Sequence, residues 1–131
     1  MNGLDTNVLV RFLVQDDRHQ AKRASAYIHR TVSAGKICYI NHTVLSELVW
    51  VLESAYIYSR KEIAGVLEKL LLTKQFEIDA KDIVKQAIYD YRNGRGDFAD
   101  YLIGRINRSK GCDTTATFDL ALKTSSLFTV L

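Results

Sequence analysis

The fold is decided near the N-terminus, where residues 1–14 read MNGLDTNVLVRFLV. The first four residues are followed by an acid, Asp5, and then by a largely apolar run over residues 6–14. Asp5 and Thr6 are both suitable N-cap residues, because their side-chain oxygens can accept hydrogen bonds from the free N–H groups that open a helix. The stretch predicts a short strand over residues 1–4 that leads directly into a helix.

Helical and strand-like segments alternate along the rest of the chain. Apolar residues recur at helical spacing in long segments, and short continuous apolar runs between them are typical of buried strands. Further helices are predicted over residues 17–34 (ended by Gly35), 42–56, 60–73, 80–92 and 98–109, with a short one near Phe118 or Asp119. Further strands are predicted over residues 37–40, 76–78, 112–115 and 127–131, and residues 93–96 form the clearest loop.

This alternation of strands and helices predicts the α/β class, with a parallel sheet covered on both faces. The length of 131 residues suggests one domain. In such sheets, ligands bind beyond the carboxyl ends of the strands. Asp5 and Asp119 each follow a predicted strand closely, so we expect both at that edge.

The composition excludes several classes of protein. Hydrophobic residues make up 47% and charged residues 25%, which argues against a disordered chain. No apolar run is long enough for a membrane span, and the start lacks the regions of a signal peptide, so we expect a cytoplasmic protein with no membrane partner. Cys38 and Cys112 are too few for a disulfide framework, and we expect both to be small buried residues. A net charge of +3 does not by itself identify a nucleic-acid binder.

Four acids stand in apolar surroundings, namely Asp5, Glu47, Asp100 and Asp119. A carboxylate near a core is costly unless it is compensated, and a divalent cation would compensate it. Mg²⁺ and Mn²⁺ prefer oxygen ligands, and a centre of this kind suits phosphodiester hydrolysis. Taken singly, each acid could have an ordinary structural role instead of a role in a metal site. Asp5 and Asp119 could be helix caps, and Glu47 could be a surface acid. Asp100 could cap a helix or form an ion pair with Arg105.

The same four acids lie in segments that resemble the motifs of PIN-domain proteins. In order, the segments are LDTNVLV at 4–10, SEL at 46–48, GDFADYLI at 96–103 and TFD at 117–119. Their order and separations match the family over nearly the whole chain. The length, with no other domain attached, resembles the VapC toxins of prokaryotic toxin–antitoxin pairs.

The resemblance implies a three-layer α/β/α sandwich with a central parallel sheet, in one domain over residues 1–131. It also implies an endoribonuclease that cuts RNA with Mg²⁺ or Mn²⁺, forms homodimers and is inhibited by a VapB-like antitoxin. The alternative is a non-catalytic PIN-like module that binds RNA or protein. The complete set of acids argues against that alternative.

Carried over residue by residue, the resemblance implies that Asp5 and Asp100 bind the metal directly. Glu47 and Asp119 then complete the catalytic acids. Supporting positions in the motifs are matched by Thr6, Asn7 and Thr117. Asp97 lies three residues before Asp100, on the same helix face, and is either a helix cap or a further acid of the site.

Two arginines are candidates to bind substrate. Arg11 lies one helical turn after Asn7 and is either a contact for an RNA phosphate or antitoxin carboxylate, or an exposed arginine. Arg95 precedes the third motif and could attract phosphate, with a solvated surface position as the alternative. Three further basic residues are expected to be surface charges, namely Arg18, Lys22 and Arg23.

Overall fold

The structure, a computed structural model, describes all of residues 1–131. It contains six α-helices, one 3₁₀ turn and five short strands. In chain order the elements are β1 (Asn2–Gly3), α1 (Thr6–Val14), α2 (Arg18–Ser33), β2 (Cys38–Ile40), α3 (His42–Ser54), α4 (Arg60–Leu72), β3 (Phe76–Ile78), α5 (Lys81–Asn93), α6 (Phe98–Ser109), β4 (Thr115–Thr117), the 3₁₀ turn (Leu120–Leu122) and β5 (Phe128–Val130).

Backbone contacts divide the chain into two compact units, each described here by itself. The first unit consists of Met1–Ile57 and Lys69–Asp79, and the second of Tyr58–Glu68 and Ala80–Leu131. Helix α4 contributes residues to both. The single domain over residues 1–131 stays a prediction.

A three-stranded parallel sheet in the order β1-β2-β3 organises the first unit. Cys38 of β2 lies opposite Asn2 on one side and Phe76 on the other. Parallel neighbours require a crossover connection, and each crossover here contains two helices, α1 and α2 before β2, and α3 and α4 before β3. Large apolar side chains such as Leu9 and Ile40 are fully buried in this unit.

Helices α2 and α3 of the first unit begin at side-chain caps. Asp17 accepts a hydrogen bond from the Gln20 N–H at 3.0 Å, and Asn41 accepts one from the Val44 N–H at 2.9 Å. Asn41 directly follows β2, so this strand leads straight into α3. Gly35, just beyond α2, has a φ of +76°, which confirms it as the glycine that ends the helix.

The second unit combines helices α5 and α6 with the parallel pair β4-β5. The two helices are joined by a bidentate ion pair in which Arg105 donates to both carboxylate oxygens of Asp90, at 2.7 and 2.8 Å. Tyr91 and Phe98 meet edge to face with ring centroids 6.0 Å apart. Both side chains are almost fully buried, so they form the centre of this unit.

The fourth strand is the one element whose position was predicted wrongly. It lies at Thr115–Thr117, not at residues 112–115. The N–H of Cys112 still donates to the Asn107 carbonyl at 3.1 Å, so the chain is completing the end of α6 where the strand was expected. Cys112 is also exposed, which contradicts its predicted burial, whereas Cys38 is buried as expected.

The remaining predicted elements agree with the structure to within two residues at each end. The α/β class with parallel strands is therefore confirmed. None of the helices combines the length and the apolarity needed to cross a membrane.

Alanine substitutions at two helical glycines can test the packing of α6 against β5. A Cβ added at Gly104 would lie 2.8 Å from Cζ of Phe128, whereas one added at Gly65 of α4 would meet no atom within 4 Å. We expect Gly65→Ala to raise the free energy of unfolding by ~0.5–1 kcal/mol through helix propensity. We expect Gly104→Ala to lower it by about 1 kcal/mol, because overpacking outweighs that gain. Urea unfolding measures both values, and equal effects at the two positions would contradict the packing described here.

Candidate active site

Asp5 lies immediately beyond the first strand, at the start of α1. Leu4 extends the strand pairing by one residue, since its N–H donates to the Tyr39 carbonyl at 3.0 Å. The Asp5 carboxylate is exposed, and its Oδ1 accepts a hydrogen bond from the Thr6 N–H at 2.8 Å. Asp5 is therefore a helix cap, and this bond leaves the second carboxylate oxygen without a hydrogen bond.

Thr6 and Asn7, the supporting residues predicted next to Asp5, have different surroundings. Thr6 is buried, and its hydroxyl has no hydrogen-bond partner, which is uncommon for a buried polar atom. It is the main-chain N–H of Thr6, rather than its side chain, that orients Asp5. Asn7 is exposed and lines the same cavity as Asp5.

This cavity, which lies within the first unit, has a volume of about 620 Å³. Asp5, Asn7 and Arg11 line one side of it, and residues of α2 line the other. Arg11 thus faces the cavity, and its guanidinium donates to Gln20 at 2.6 Å and to Asp16 at 3.2 Å. Arg11 is consequently held in place by neighbours rather than free in solvent.

Glu47 projects from the middle of α3 in the first unit. The helix buries Val44, Leu45 and Leu48, but the Glu47 side chain itself is exposed. Its expected place close to the core is therefore wrong: the residue lies beside the buried stripe, not within it.

The second unit brings three acids near one another: Asp97, Asp100 and Asp119. Burial raises the pKa of the Asp100 carboxyl, and the negative charges of Asp97 and Asp119 raise it further. A hydrogen bond with the Asp97 backbone lowers it in part. Asp100 is half-buried, so ionisation of its carboxyl is costly.

Asp97 occupies the N-cap position of α6 without acting as a side-chain cap. Its carboxylate makes no capping hydrogen bond, although its carbonyl accepts one from the Asp100 N–H at 3.1 Å. The side chain is exposed and lies close enough to Asp100 to raise its pKa. The structure thus leaves the Asp97 carboxylate available as a further acid of the site.

Asp119 and Thr117 form a tight turn after β4. Asp119 accepts a hydrogen bond from the Ala121 N–H at 2.9 Å and so caps the 3₁₀ turn. The Thr117 hydroxyl in turn accepts one from the Asp119 N–H at 3.1 Å. Thr117 therefore fixes the backbone that carries the Asp119 carboxylate.

Two expectations about the acids require correction. Asp100 does not pair with Arg105, because that arginine is engaged in the bidentate pair with Asp90. Asp5 and Asp119 are exposed, like Glu47, so the argument from burial applies only to Asp100. Capping roles, rather than buried positions, place Asp5 and Asp119 at strand ends.

The loop that leads to Asp97 is held by residues that the sequence analysis did not single out. Arg60 donates to the Gly96 carbonyl at 2.7 Å, and the Tyr101 hydroxyl accepts a hydrogen bond from the Gly96 N–H at 3.0 Å. A Cβ at Gly96 would overlap the buried Leu122 side chain. The two glycines of the loop, Gly94 and Gly96, could have predicted this close packing from the sequence. Nothing in the sequence distinguished Arg60 from other arginines. Arg95 in the same loop is exposed and makes no hydrogen bond.

The oxygen donors of these acids fit a hard divalent cation. A cation would offset both causes that raise the pKa of Asp100, namely the burial of its carboxyl and the repulsion from Asp97 and Asp119. No group of three or more His, Cys, Asp or Glu side chains is arranged to hold a metal ion. Mg²⁺, however, is usually held by only one or two protein carboxylates, with water and substrate phosphate as further ligands.

Comparison with known proteins identifies the family. The PIN domain model matches residues 4–124, which include all four motifs. The chain belongs to the PIN domain family. It is also 27% identical over 130 residues to a VapC ribonuclease of Aquifex aeolicus (strain VF5), in an alignment that covers 99% of this chain and 96% of that protein. The resemblance to PIN-domain proteins is therefore confirmed.

The interaction among the three acids of the second unit can be measured directly. We expect Asp97→Asn and Asp119→Asn each to lower the pKa of Asp100, because each removes a negative charge that disfavours its ionisation. NMR titration of the Asp100 carboxyl carbon reads this value. Asp82→Asn, on the exposed first turn of α5, is the matched control and should leave it unchanged. An unaltered pKa of Asp100 in both site variants would show that these acids do not interact.

Proposed function

We propose that the protein is an Mg²⁺- or Mn²⁺-dependent endoribonuclease that acts in the cytoplasm as the toxin of a VapBC-type pair. The observation that carries this proposal is the second-unit cluster, in which half-buried Asp100 lies close enough to Asp97 and Asp119 to interact with their charges. Mutually repelling carboxylates are costly to the fold, and a bound cation offsets that cost. Membership of the PIN family and similarity to a VapC ribonuclease support the assignment.

Asp5 and Asp100 are the proposed metal ligands, and Glu47 and Asp119 the other catalytic acids. The capping bond orients Asp5 and leaves one of its carboxylate oxygens available for a ligand. A divalent ion, when bound, polarises a phosphoryl oxygen and lowers the pKa of the attacking water. Glu47 and Asp119, being exposed, are able to accept a proton from that water or to orient it.

The remaining assignments concern support and substrate. Thr6 and Thr117 orient acids through the hydrogen bonds described above, and Asn7 and Asp97 add polar groups beside them. Arg11 and Arg95 are proposed to contact RNA phosphates. Arg95 has no competing partner, whereas Arg11 lines the cavity that contains Asp5.

The proposed partners are RNA as substrate, a VapB-like antitoxin and a second copy of the chain in a homodimer. The support for these partners is the similarity to a VapC ribonuclease along nearly the whole of both proteins. A non-catalytic module that only binds RNA or protein is the competing function, and a cleavage assay separates the two.

The first test is cleavage of RNA by the wild type and by Asp5→Asn. We expect cutting that requires Mg²⁺ or Mn²⁺, stops with EDTA, and falls at least about 100-fold in the variant, since even residues that only support a metal ligand cost about 10–100-fold. Asparagine caps helices as well as aspartate does, so the variant should remain folded. Asp82→Asn serves as the control. Wild-type protein that binds RNA but does not cut it would favour the non-catalytic module.

A second test determines whether Asp97 or Asp100 is the metal ligand contributed by the third motif. We expect Asp100→Asn to lower the cleavage rate by about 100-fold or more, and Asp97→Asn by less than about tenfold, because only the first removes a proposed metal ligand. Single-turnover rates at saturating Mn²⁺ give this comparison. The reverse order of effects would transfer the ligand role to Asp97.

A further inference from the structure

A face of helix α2 opens into the same cavity as Asp5. Arg23, Tyr27 and Arg30 line it from α2, opposite Asp5 and Asn7. All of these residues belong to the first unit. The cavity is therefore acidic where Asp5 lies and basic along α2.

The two α2 arginines are free to bind a ligand. Arg23 and Arg30 are exposed, and neither side chain forms a hydrogen bond or an ion pair, whereas the Arg11 side chain on the opposite side is bound to Asp16 and Gln20. Helix α2 carries four Lys and Arg residues and no acid. Helix α2 therefore carries positive charge with no acid of its own to oppose it.

Along one face of α2, an aromatic ring lies between two positively charged side chains. Positions 23, 27 and 30 fall on one helix face, and at about 1.5 Å per residue the two arginines are about 10 Å apart along the axis. Tyr27 lies between them, with 39% of its surface exposed. The Tyr27 carbonyl accepts a hydrogen bond from the Thr31 hydroxyl at 2.9 Å, which adds a side-chain bond to the regular helix. Cations that flank an exposed ring are the pattern of proteins that bind single-stranded nucleic acid.

We propose that Arg23, Tyr27 and Arg30 form a track for single-stranded RNA that delivers the strand to Asp5. The arginines contact backbone phosphates, and the Tyr27 ring stacks on a base between them. This inference rests on the proposed function and adds the form of the substrate and the residues that position it. It also changes the role of Arg23, which by sequence was expected to be only a surface charge.

RNA is favoured over an acidic protein segment as the occupant because of the ring. A carboxylate peptide would pair with the two arginines, but it has no planar group to cover an exposed tyrosine between them. A nucleotide strand offers both phosphate and base at each step. RNA is therefore the proposed ligand of the track, and an acidic peptide is one of the probes in the test.

The test compares two double variants of the full-length chain that remove the same charge from the same helix. Arg23→Gln/Arg30→Gln alters the track, and Arg18→Gln/Lys22→Gln alters two exposed residues of α2 that do not line this cavity. Binding of a fluorescein-labelled, mixed-sequence single-stranded RNA is measured in EDTA, so that cleavage does not interfere. Cleavage with Mn²⁺ is then measured separately for KM and kcat.

We expect the track variant to bind RNA about tenfold more weakly at about 0.1 M salt, and to reduce the salt slope of log K by about 1.4, or 0.7 for each phosphate contact. Its KM should rise while kcat changes little, and the control pair should lose less than about twofold in affinity. Tyr27→Leu should weaken binding about tenfold, whereas Tyr89→Leu, at another exposed tyrosine, should not. A duplex of the same sequence should compete poorly.

The outcomes distinguish failure of the track from failure of the proposed function. Equal losses in the two double variants would show that only overall charge matters, and would overturn the track even if the protein cuts RNA. An oligoglutamate peptide that binds as tightly as RNA, with the same dependence on Arg23 and Arg30, would assign the face to protein docking and also overturn it. Specific RNA binding through the track without any cleavage in Mn²⁺ would support the track and refute the nuclease.

Discussion

Each parallel neighbour in the three-stranded sheet can be reached only through a crossover, so each strand has to lead into a helix at its carboxyl end. β1 and β2 are only two and three residues long, and the helices follow almost at once. The connecting residue must therefore cap the helix, as Asn41 does for α3 and Asp5 for α1. The turn after β4 repeats this solution in the second unit with Asp119. Acids proposed for catalysis thus occupy places where the fold already requires an oxygen acceptor.

Asp100 differs from these capping residues, because its carboxylate is half-buried beside two other acids. Its pKa in the folded protein is raised above 3.8, the ordinary value for aspartate. The folded state therefore binds this proton more tightly than the unfolded state does. The resulting stabilisation is present at pH values below the ordinary pKa, and it is lost as the pH rises through the raised one. At neutral pH the ionised Asp100 carboxylate is a cost to the fold, and a divalent cation is the kind of ligand that offsets this cost.

The sequence predicted the α-helices well, because their apolar residues repeat over nine or more positions. It misplaced β4, since the backbone bond from Cys112 to Asn107 that prolongs the end of α6 has no signature in the side chains. The motifs supplied the acids proposed for the site, but helix periodicity could not tell that Glu47 lies outside the buried stripe. The position of Arg23 on the cavity depends on how α1 packs against α2, which no local pattern encodes. The hold of Arg60 on the loop before α6 is likewise a contact between distant parts of the chain.

The capping bond of Asp5 also bears on how this protein tolerates mutation. Only one carboxylate oxygen is needed to hold the Thr6 N–H, and an asparagine oxygen meets that need equally well. Aspartate codons become asparagine codons by a single base change. At this position, then, one nucleotide separates a chain with its proposed metal ligand from one that keeps the same helix start without it. For a protein proposed to harm the cell that makes it, selection has a short route to a disarmed copy that still folds.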